Sequence, residues 1–441
     1  MKSKTVIRGT GAWRRMTHCG LRVGGGALIA GAALAPEAAL GADPTRIDRI
    51  ERENRELRDR LQSLENVAQR AGILPSGQPA PRIVSSLSEI SLSGMVQASY
   101  FYNSNEPVDQ DIDGNPIKGA SDGYLWNTTH NSFSINKVKL TLASKPVERS
   151  GDTWDAGFRV SMIWGEDAPV LNTGGERQGL EDLREAYIEL NAPIGTGLNI
   201  RAGQLISLLN FESGDGGAVN PNFSQGYQWF FTGNGPAAGV QLGYTFTDWL
   251  DMKVRVQNGM YAGAVDNNDA KTVMGSIGLK PDDKTWINLI GFGGRENAST
   301  SVAGGSVLAG RKFGERLNTG FEFDYFNFDP VSGPSADLWS VGAWIWYEFN
   351  PKFGIALRGE YLDDPDGGGL KGITLPGRPG SAILSADPDG SLSSLTLTLN
   401  FSPAPNVRIQ PEIRYDHTSY AGGFDGHRDR FIFGAGVSYL F

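Results

Sequence analysis

The chain has 441 residues and a formal net charge of −9, because 49 Asp and Glu outnumber 40 Lys and Arg. An acidic surface repels a phosphate backbone, so this balance argues against nucleic acid as a partner. Glycine is unusually frequent at 59 residues, but the 21 Phe, 13 Tyr and 10 Trp argue for an ordered chain rather than a disordered one.

Residues 1–42 have the pattern of an export signal. A basic region containing six Lys or Arg precedes an apolar run at 23–35, and ALGA at 39–42 supplies small residues for cleavage. This apolar run is too short to span a bilayer as a helix. Cleavage after Ala42 removes the one cysteine, Cys19, and leaves a mature net charge of −14. No thiol is then left for disulfide or redox chemistry.

A different pattern occupies residues 43–71, where mostly apolar side chains recur at heptad positions a and d. The segments RIDRIE and RLQSLE, which begin at Arg46 and Arg60, place Arg and Glu at flanking positions where they can pair between helices. We predict a short periplasmic coiled coil that joins three copies into a homotrimer. A single solvated helix is the alternative. A linker rich in Pro and Gly is predicted to follow at 72–87.

From residue 88 to 441 the apolar residues recur with a period of two, and turn signals separate the segments. No stretch here is apolar enough for a membrane-spanning helix, and the remaining way to cross a membrane is a closed barrel. Fifteen strands are clear, and a weak one at 299–309 restores the even number expected of bacterial barrels. The predicted fold is all-β: a transmembrane antiparallel β-barrel of 16 strands in a Gram-negative type of outer membrane, preceded by the coiled-coil helix.

The last predicted strand, 430–441, carries an apolar face that ends on two aromatic residues, Tyr439 and Phe441. An aromatic end is typical of the final strand of an outer-membrane barrel. It predicts that Tyr439 and Phe441 form the signal read by the barrel-assembly machinery. We also predict that this strand closes the barrel by pairing with residues 91–100.

Several motifs follow one another in an order that resembles a known family. They are SGMVQASYFYN at 93, FSINKVKLTLASKP at 133, GEDAP at 165, NPNFSQGY at 220 and LRGEYLDDPDG at 357. This order resembles the OmpL-like β-barrel porins of the outer membrane, and the likeness covers most of 92–441. The resemblance implies passive diffusion of small hydrophilic solutes, with no catalysis. The sixteen-strand trimer more generally resembles the general diffusion porins.

Strand alternation predicts which side chains line the pore, because the neighbours of lipid-facing apolar residues face the lumen. Met252 and Val254 point outward, for example, so Lys253 and Arg255 point inward. The ten charged side chains predicted to line the pore are Lys137, Lys139, Arg159, Arg201, Lys253, Arg255, Arg358, Glu360, Arg408 and Arg414.

The longest outer loop is predicted at 208–237, after the fifth strand. In the trimeric diffusion porins that the chain resembles, the loop in this place folds into the barrel and forms the constriction. The resemblance implies this role for Glu212 and Asp215, the only charged residues of the loop. Their carboxylates would face basic groups across the pore and select solutes by size and charge. A loop that caps the mouth, or reaches a neighbouring subunit, is the alternative.

No metal site, cofactor or catalytic residue is predicted. The acidic segment at 109–115 begins like a calcium loop, but Ala120 stands where a bidentate Glu is required, so loose divalent binding and a plain solvated loop stay open. The three histidines of the mature chain lack metal-ligand spacing. Two functions therefore stay open: a diffusion porin, or a surface barrel with a plugged lumen that acts as adhesin or receptor. The predicted partners include outer-membrane lipid and lipopolysaccharide.

Overall fold

The computed structural model describes residues 90–110, 116–121, 127–168, 182–263, 265–266, 268–297, 299–367, 370 and 387–441. The predicted signal peptide, coiled coil and linker lie outside the described residues, and so does the centre of the acidic segment at 109–115. Within the described part, no helix is both long and apolar enough to cross a membrane.

Sixteen strands of the described residues form one closed antiparallel barrel, in which each strand pairs with its neighbours in sequence. In chain order they are β1 (Ile90–Asn103), β2 (Ser132–Ser144), β3 (Asp155–Trp164), β4 (Leu183–Ala192), β5 (Leu198–Leu205), β6 (Ala237–Thr247), β7 (Leu250–Gln257), β8 (Thr272–Asp282), β9 (Thr285–Asn297), β10 (Thr300–Phe313), β11 (Leu317–Pro330), β12 (Ala336–Asn350), β13 (Phe353–Asp364), β14 (Gly390–Ala404), β15 (Val407–Thr418) and β16 (Asp429–Leu440). Two further short strands, Val108–Gln110 and Pro116–Lys118, pair with each other in the first long loop. The predicted all-β barrel of 16 strands is confirmed.

The barrel closes where β1 meets β16. The pairs run from Met95 opposite Leu440 to Asn103 opposite Ile432. Beyond the last pair, the Gly94 amide donates to the Phe441 carbonyl at 2.8 Å, and the Phe441 amide donates back to the Gly94 carbonyl at 3.0 Å. The prediction of β1 as the partner is right, whereas the predicted segment at 91–100 starts too early. Seven short turns lie at the end of the barrel where β1 begins, which we call the short-turn end.

The weak strand predicted at 299–309 is present and longer than expected, because β10 continues to Phe313. Its pattern is weak in the sequence for a physical reason. Val302 and Leu308 are buried and face inward, while the outward positions include Ala303 and Gly305. Apolar side chains therefore lie on the lumen side here, opposite to the usual alternation in a membrane barrel.

The inward apolar residues of β8 to β14 belong to a core inside the barrel. They pack with a short helix, α1 (Tyr227–Phe231), that lies in the loop between β5 and β6. The buried members on these strands are Met274, Ile290, Phe292, Val302, Leu308, Phe326, Leu338, Leu362 and Leu392. A loop that carries an apolar helix can be stabilised inside a membrane barrel in this way, because the wall offers it apolar surface to bury.

Candidate functional site: the channel and its infolded loop

Residues 206–236, which we call the inner loop, connect β5 to β6 and fold into the barrel instead of capping it. Gln97 on β1 donates to the Gly216 carbonyl of the loop at 3.1 Å, and Asn400 on β14 donates to the Pro221 carbonyl at 3.0 Å. At its deepest point the Phe211 ring lies against Gly320, the fourth residue of β11 from the short-turn end. The loop therefore occupies much of the height of the lumen along one wall.

Carboxylates on that wall accept the backbone N–H groups of the inner loop. Glu322 on β11 accepts from the Phe211 amide at 2.9 Å, and Glu412 on β15 accepts from the Phe223 amide at 2.8 Å. Glu360 on β13 accepts from the Gln228 amide at 3.1 Å. A loop without regular structure needs such partners when it is buried, because an unpaired backbone amide costs about 1–3 kcal/mol.

Glu212 stabilises the middle of the loop through three buried contacts. Its carboxylate accepts from Arg358 Nη1 at 2.7 Å, from Trp344 Nε1 at 3.0 Å and from the Gly226 amide at 2.7 Å. The side chains of Glu212 and Arg358 are 2% and 0% exposed. Arg358 also lies 3.0 Å from a carboxylate oxygen of Glu360. Glu212 thus joins the loop to the wall, and its charge is neutralised away from the solvent.

Asp215 lies at the edge of the inner loop, where its side chain reaches β2 and β4. Its carboxylate accepts from Lys139 Nζ at 2.6 Å and lies 3.8 Å from Arg184 Nε. Burial raises the pKa of the Asp215 carboxyl, but the positive charges of Lys139 and Arg184 outweigh this effect and hold its pKa below the ordinary value. Asp215 is accordingly a permanent anion near neutral pH, and its side chain is still 19% exposed.

The outer end of the loop is held by arginines stacked on aromatic rings. The Arg414 guanidinium lies 4.4 Å from the centre of the Tyr227 ring, and Arg430 Nη2 donates to the Tyr227 hydroxyl at 2.8 Å. Arg430 also lies 4.1 Å from the ring centre of Phe424, in the loop between β15 and β16. Asp416 bridges the two arginines, at 2.6 Å from Arg414 and 2.9 Å from Arg430. These contacts connect Tyr227, the first residue of α1, to β15 and β16 and leave both arginines covered.

The wall from β3 to β7 is different, because three of its charged side chains stay partly exposed to the lumen. The side chains of Arg159, Arg201 and Lys253 are 37%, 31% and 34% exposed. Each lies within 4 Å of a carboxylate on its own or the neighbouring strand. Arg255 is buried and donates to Gln241 and to the Ile206 carbonyl, and it forms no ion pair with a carboxylate among the described residues.

The structure separates the residues predicted from the sequence into two groups. Arg159, Arg201 and Lys253 border open lumen, whereas Arg358, Glu360 and Arg414 point inward but are covered by the inner loop. Lys137 pairs with Asp167 of the second long loop at 2.8 Å, and Arg408 donates to the Ala218 carbonyl of the inner loop at 2.7 Å. Glu212 is brought to Arg358, a pairing that the sequence did not suggest.

Three important residues were missed. Glu322 and Asp324 alternate with outward Phe321, Phe323 and Tyr325, so the same parity rule could have found them. Arg184 carried no such signal, because a register shift between Ser161 and Met162 interrupts the alternation next to it. Among the described residues, no group of three His, Cys, Asp or Glu side chains is arranged to hold a metal ion.

Comparison with known proteins gave both a family and several similar structures. Residues 89–441 match the family described as "Putative beta-barrel porin-2, OmpL-like". An anion-selective porin from Comamonas acidovorans is 12% identical with a TM-score of 0.52, and the match covers 80% of this chain and 99% of that chain. OprB of Pseudomonas putida is 13% identical with a TM-score of 0.51, with 81% and 96% covered. The outer membrane channel DcaP of Acinetobacter baumannii is 14% identical with a TM-score of 0.50, with 80% and 97% covered.

At these identities the likeness to the three structures shows the fold alone. A search of curated proteins gave no match.

Proposed function

The chain belongs to the OmpL-like β-barrel porins, and on that premise we propose that it forms a water-filled channel for the passive diffusion of small hydrophilic solutes across the outer membrane. The supporting observation is the partial exposure of Arg159, Arg201 and Lys253. A plugged barrel would cover these side chains as the inner loop covers Arg358. Charged side chains that stay wet inside a barrel favour a pore rather than a packed core.

Liposome swelling tests this proposal against an adhesin or receptor with a plugged lumen. Proteoliposomes containing the full-length protein should swell in pentoses and hexoses, and more slowly as the sugar becomes larger. Liposomes prepared in the same way without protein are the control. Swelling no faster than in the control would favour the plugged barrel.

The charges of the open wall support a weak preference for anions. Arg159, Arg201 and Lys253 each have a carboxylate partner, but the guanidinium of Arg255 has none among the described residues. Unbalanced positive charge in a narrow pore attracts anions and repels cations. We assign the channel no catalytic step and no cofactor.

We further propose that the protein is a homotrimer joined in part by the heptads at 43–71. The matched Arg and Glu positions of the two repeats support a parallel coiled coil rather than a solvated single helix. Chemical crosslinking of the mature protein in mild detergent should give trimers, and removal of 43–71 should weaken them. If crosslinking gave only monomers, both for the mature protein and for the protein that lacks 43–71, the homotrimer would be contradicted.

Tyr439 and Phe441 are proposed as the signal for the barrel-assembly machinery. Both rings are about half exposed on the outside of the barrel, so neither is needed for packing inside it. Phe441→Ala keeps the backbone pairing with Gly94 and removes only the ring. We expect several-fold less protein in the outer membrane and unchanged conductance of the molecules that insert.

Phe433→Ala is the matched control, since Phe433 is an equally exposed ring on the same strand. Immunoblots of outer-membrane fractions measure both variants. Equal levels of the Phe441→Ala and Phe433→Ala proteins would show that the terminal ring is not a signal.

A further inference from the structure

A row of paired residues crosses the lumen face of β9 to β12 near the short-turn end. Trp286 on β9 lies opposite Gly310 on β10, Gly310 lies opposite Gly320 on β11, and Gly320 lies opposite Trp344 on β12. Two tryptophans thus flank two glycines in register. The glycines leave the wall between the tryptophans free of side chains.

Two aromatic rings fill this gap and lie flat on it. A Cβ added at Gly310 would be 2.4 Å from the Trp286 ring, and one added at Gly320 would be 2.2 Å from the Phe211 ring. Each ring therefore rests on its own glycine, and any larger residue would displace it. The two rings are nearly parallel, with an angle of 10° and centroids 5.9 Å apart. Since neighbouring strands are about 4.8 Å apart, the rings lie side by side rather than one above the other.

Phe211 is held in this position from two sides. Its ring packs on Trp344 with centroids 4.6 Å apart, and its backbone amide donates to Glu322. Trp346 lies next to it, with ring centroids 6.2 Å apart. Phe211, Trp286 and Trp346 are only partly buried. Phe211 and Trp286 present a nearly flat aromatic surface to the lumen, and Trp346 borders it at an angle of 59° to the Phe211 ring. We call these three rings the aromatic floor.

The aromatic floor borders a cavity of about 620 Å³ at the short-turn end. Hydrogen-bonding groups of both charges surround it. Among the described residues it is bordered by the basic side chains of Lys280, Lys284 and Lys312 and by the carboxylates of Asp248, Asp282 and Asp283. Because the charges nearly balance, the cavity favours a neutral solute over an ion of either sign.

We propose that the aromatic floor is a binding subsite for neutral carbohydrates on their way through the channel. A sugar ring has one face of C–H groups and a rim of hydroxyls. The electron-rich faces of Phe211 and Trp286 attract the C–H face, as they attract other partly positive groups. The charged side chains around the floor can donate to and accept from the hydroxyls. Binding must be weak for release to follow, with a dissociation constant on the order of millimolar.

This inference rests on the proposed channel and is tested by sugar-induced interruption of its ion current. Single channels of the full-length protein in planar bilayers are exposed to a linear glucose trisaccharide. A polyethylene glycol of equal hydrodynamic size lacks ring faces and serves as the control solute. The sugar should interrupt the current with a concentration dependence that saturates. Trp286→Ala should weaken sugar binding on the order of tenfold, as expected from the loss of one stacked ring.

Matched variants separate this role from a structural one. Trp286→Phe keeps a ring on Gly310 and should retain most of the affinity, and Trp346→Ala should lose part of it. Trp154→Ala removes an exposed tryptophan that does not border the cavity and should change nothing. The sugar affinity of each variant is measured against its own open-channel current, so that a change in the pore is not counted as a change in binding.

The outcomes distinguish the two proposals. No conductance from the parent protein would overturn the channel itself. Conductance with equal sugar binding in the parent, Trp286→Ala and Trp154→Ala would overturn the aromatic floor alone. Stronger block by benzoate than by the trisaccharide, lost in Trp286→Ala, would also overturn it, because the subsite would then be for flat aromatic anions.

Discussion

Replacing Glu212 by Ala should release the inner loop and give a wider, noisier channel. The substitution removes the acceptor of three buried donors, on Arg358, Trp344 and Gly226. A buried donor that loses its acceptor costs about 1–3 kcal/mol, and the substitution takes the acceptor from three donors at once. Glu360 still faces Arg358, so the wall keeps its own ion pair. The cost therefore falls on the attachment of the loop, and single-channel conductance and current noise should both rise.

Glu189→Gln is the matched control for this experiment. Glu189 also forms an ion pair, with Arg201 at 3.0 Å, but on the open wall away from the inner loop. Partly exposed pairs contribute only about 0–1 kcal/mol, so the control channel should stay narrow and quiet. If Glu212→Ala and Glu189→Gln gave the same conductance and noise as the parent, Glu212 would have no role in holding the loop.

Replacing Asp215 by Asn should shift ion selectivity toward anions. The change removes one negative charge beside the lumen, and with it the carboxylate that pairs with Lys139 at 2.6 Å. One charge changes the energy of an ion about 8 Å away by about 0.5 kcal/mol in water. Because the effect is opposite for anions and cations, their permeability ratio should rise about two- to fivefold. Reversal potentials across a salt gradient measure this ratio.

The pH dependence of the parent channel tests the same carboxyl. The pKa of Asp215 is held below its ordinary 3.8, so the group stays charged from neutral pH down to that value. The anion preference that follows from loss of this charge should then appear only in stronger acid.

Asp152→Asn is the matched control for Asp215→Asn. Asp152 lies in the exposed turn between β2 and β3, so its replacement removes one negative charge outside the lumen and should leave the selectivity unchanged. A shift of equal size in both variants would mean that Asp215 does not act in the pore.

Most of the barrel could be predicted from the sequence, because alternate residues of a membrane strand face lipid and lumen and give the sequence a period of two. Lipid selects apolar residues at every second position, as Met252, Val254 and Val256 show on β7. The requirement for an even strand number then recovered β10 despite its inward apolar residues. The exact partners of β16 were harder, because a strand can slip along its neighbour by two residues without changing which face is apolar.

The interior was only partly predictable. Parity gives the direction of a side chain but not what covers it, so Arg358 and Arg414 were expected beside water and are found beneath the inner loop. The aromatic floor shows the same limit. Trp286 and Trp344 are separated along the chain, and their common row with Gly310 and Gly320 depends on register across four strands. No local pattern in the sequence contains that information.

Water should fill the lumen beside the inner loop, and single-channel conductance of the purified full-length protein tests this most directly. In planar bilayers the parent should show discrete steps whose size grows in proportion to the salt concentration, as expected of a wide aqueous pore. Glu212→Ala should show larger steps under the same conditions. A parent protein that inserts as a folded barrel and conducts no current would contradict a water-filled lumen.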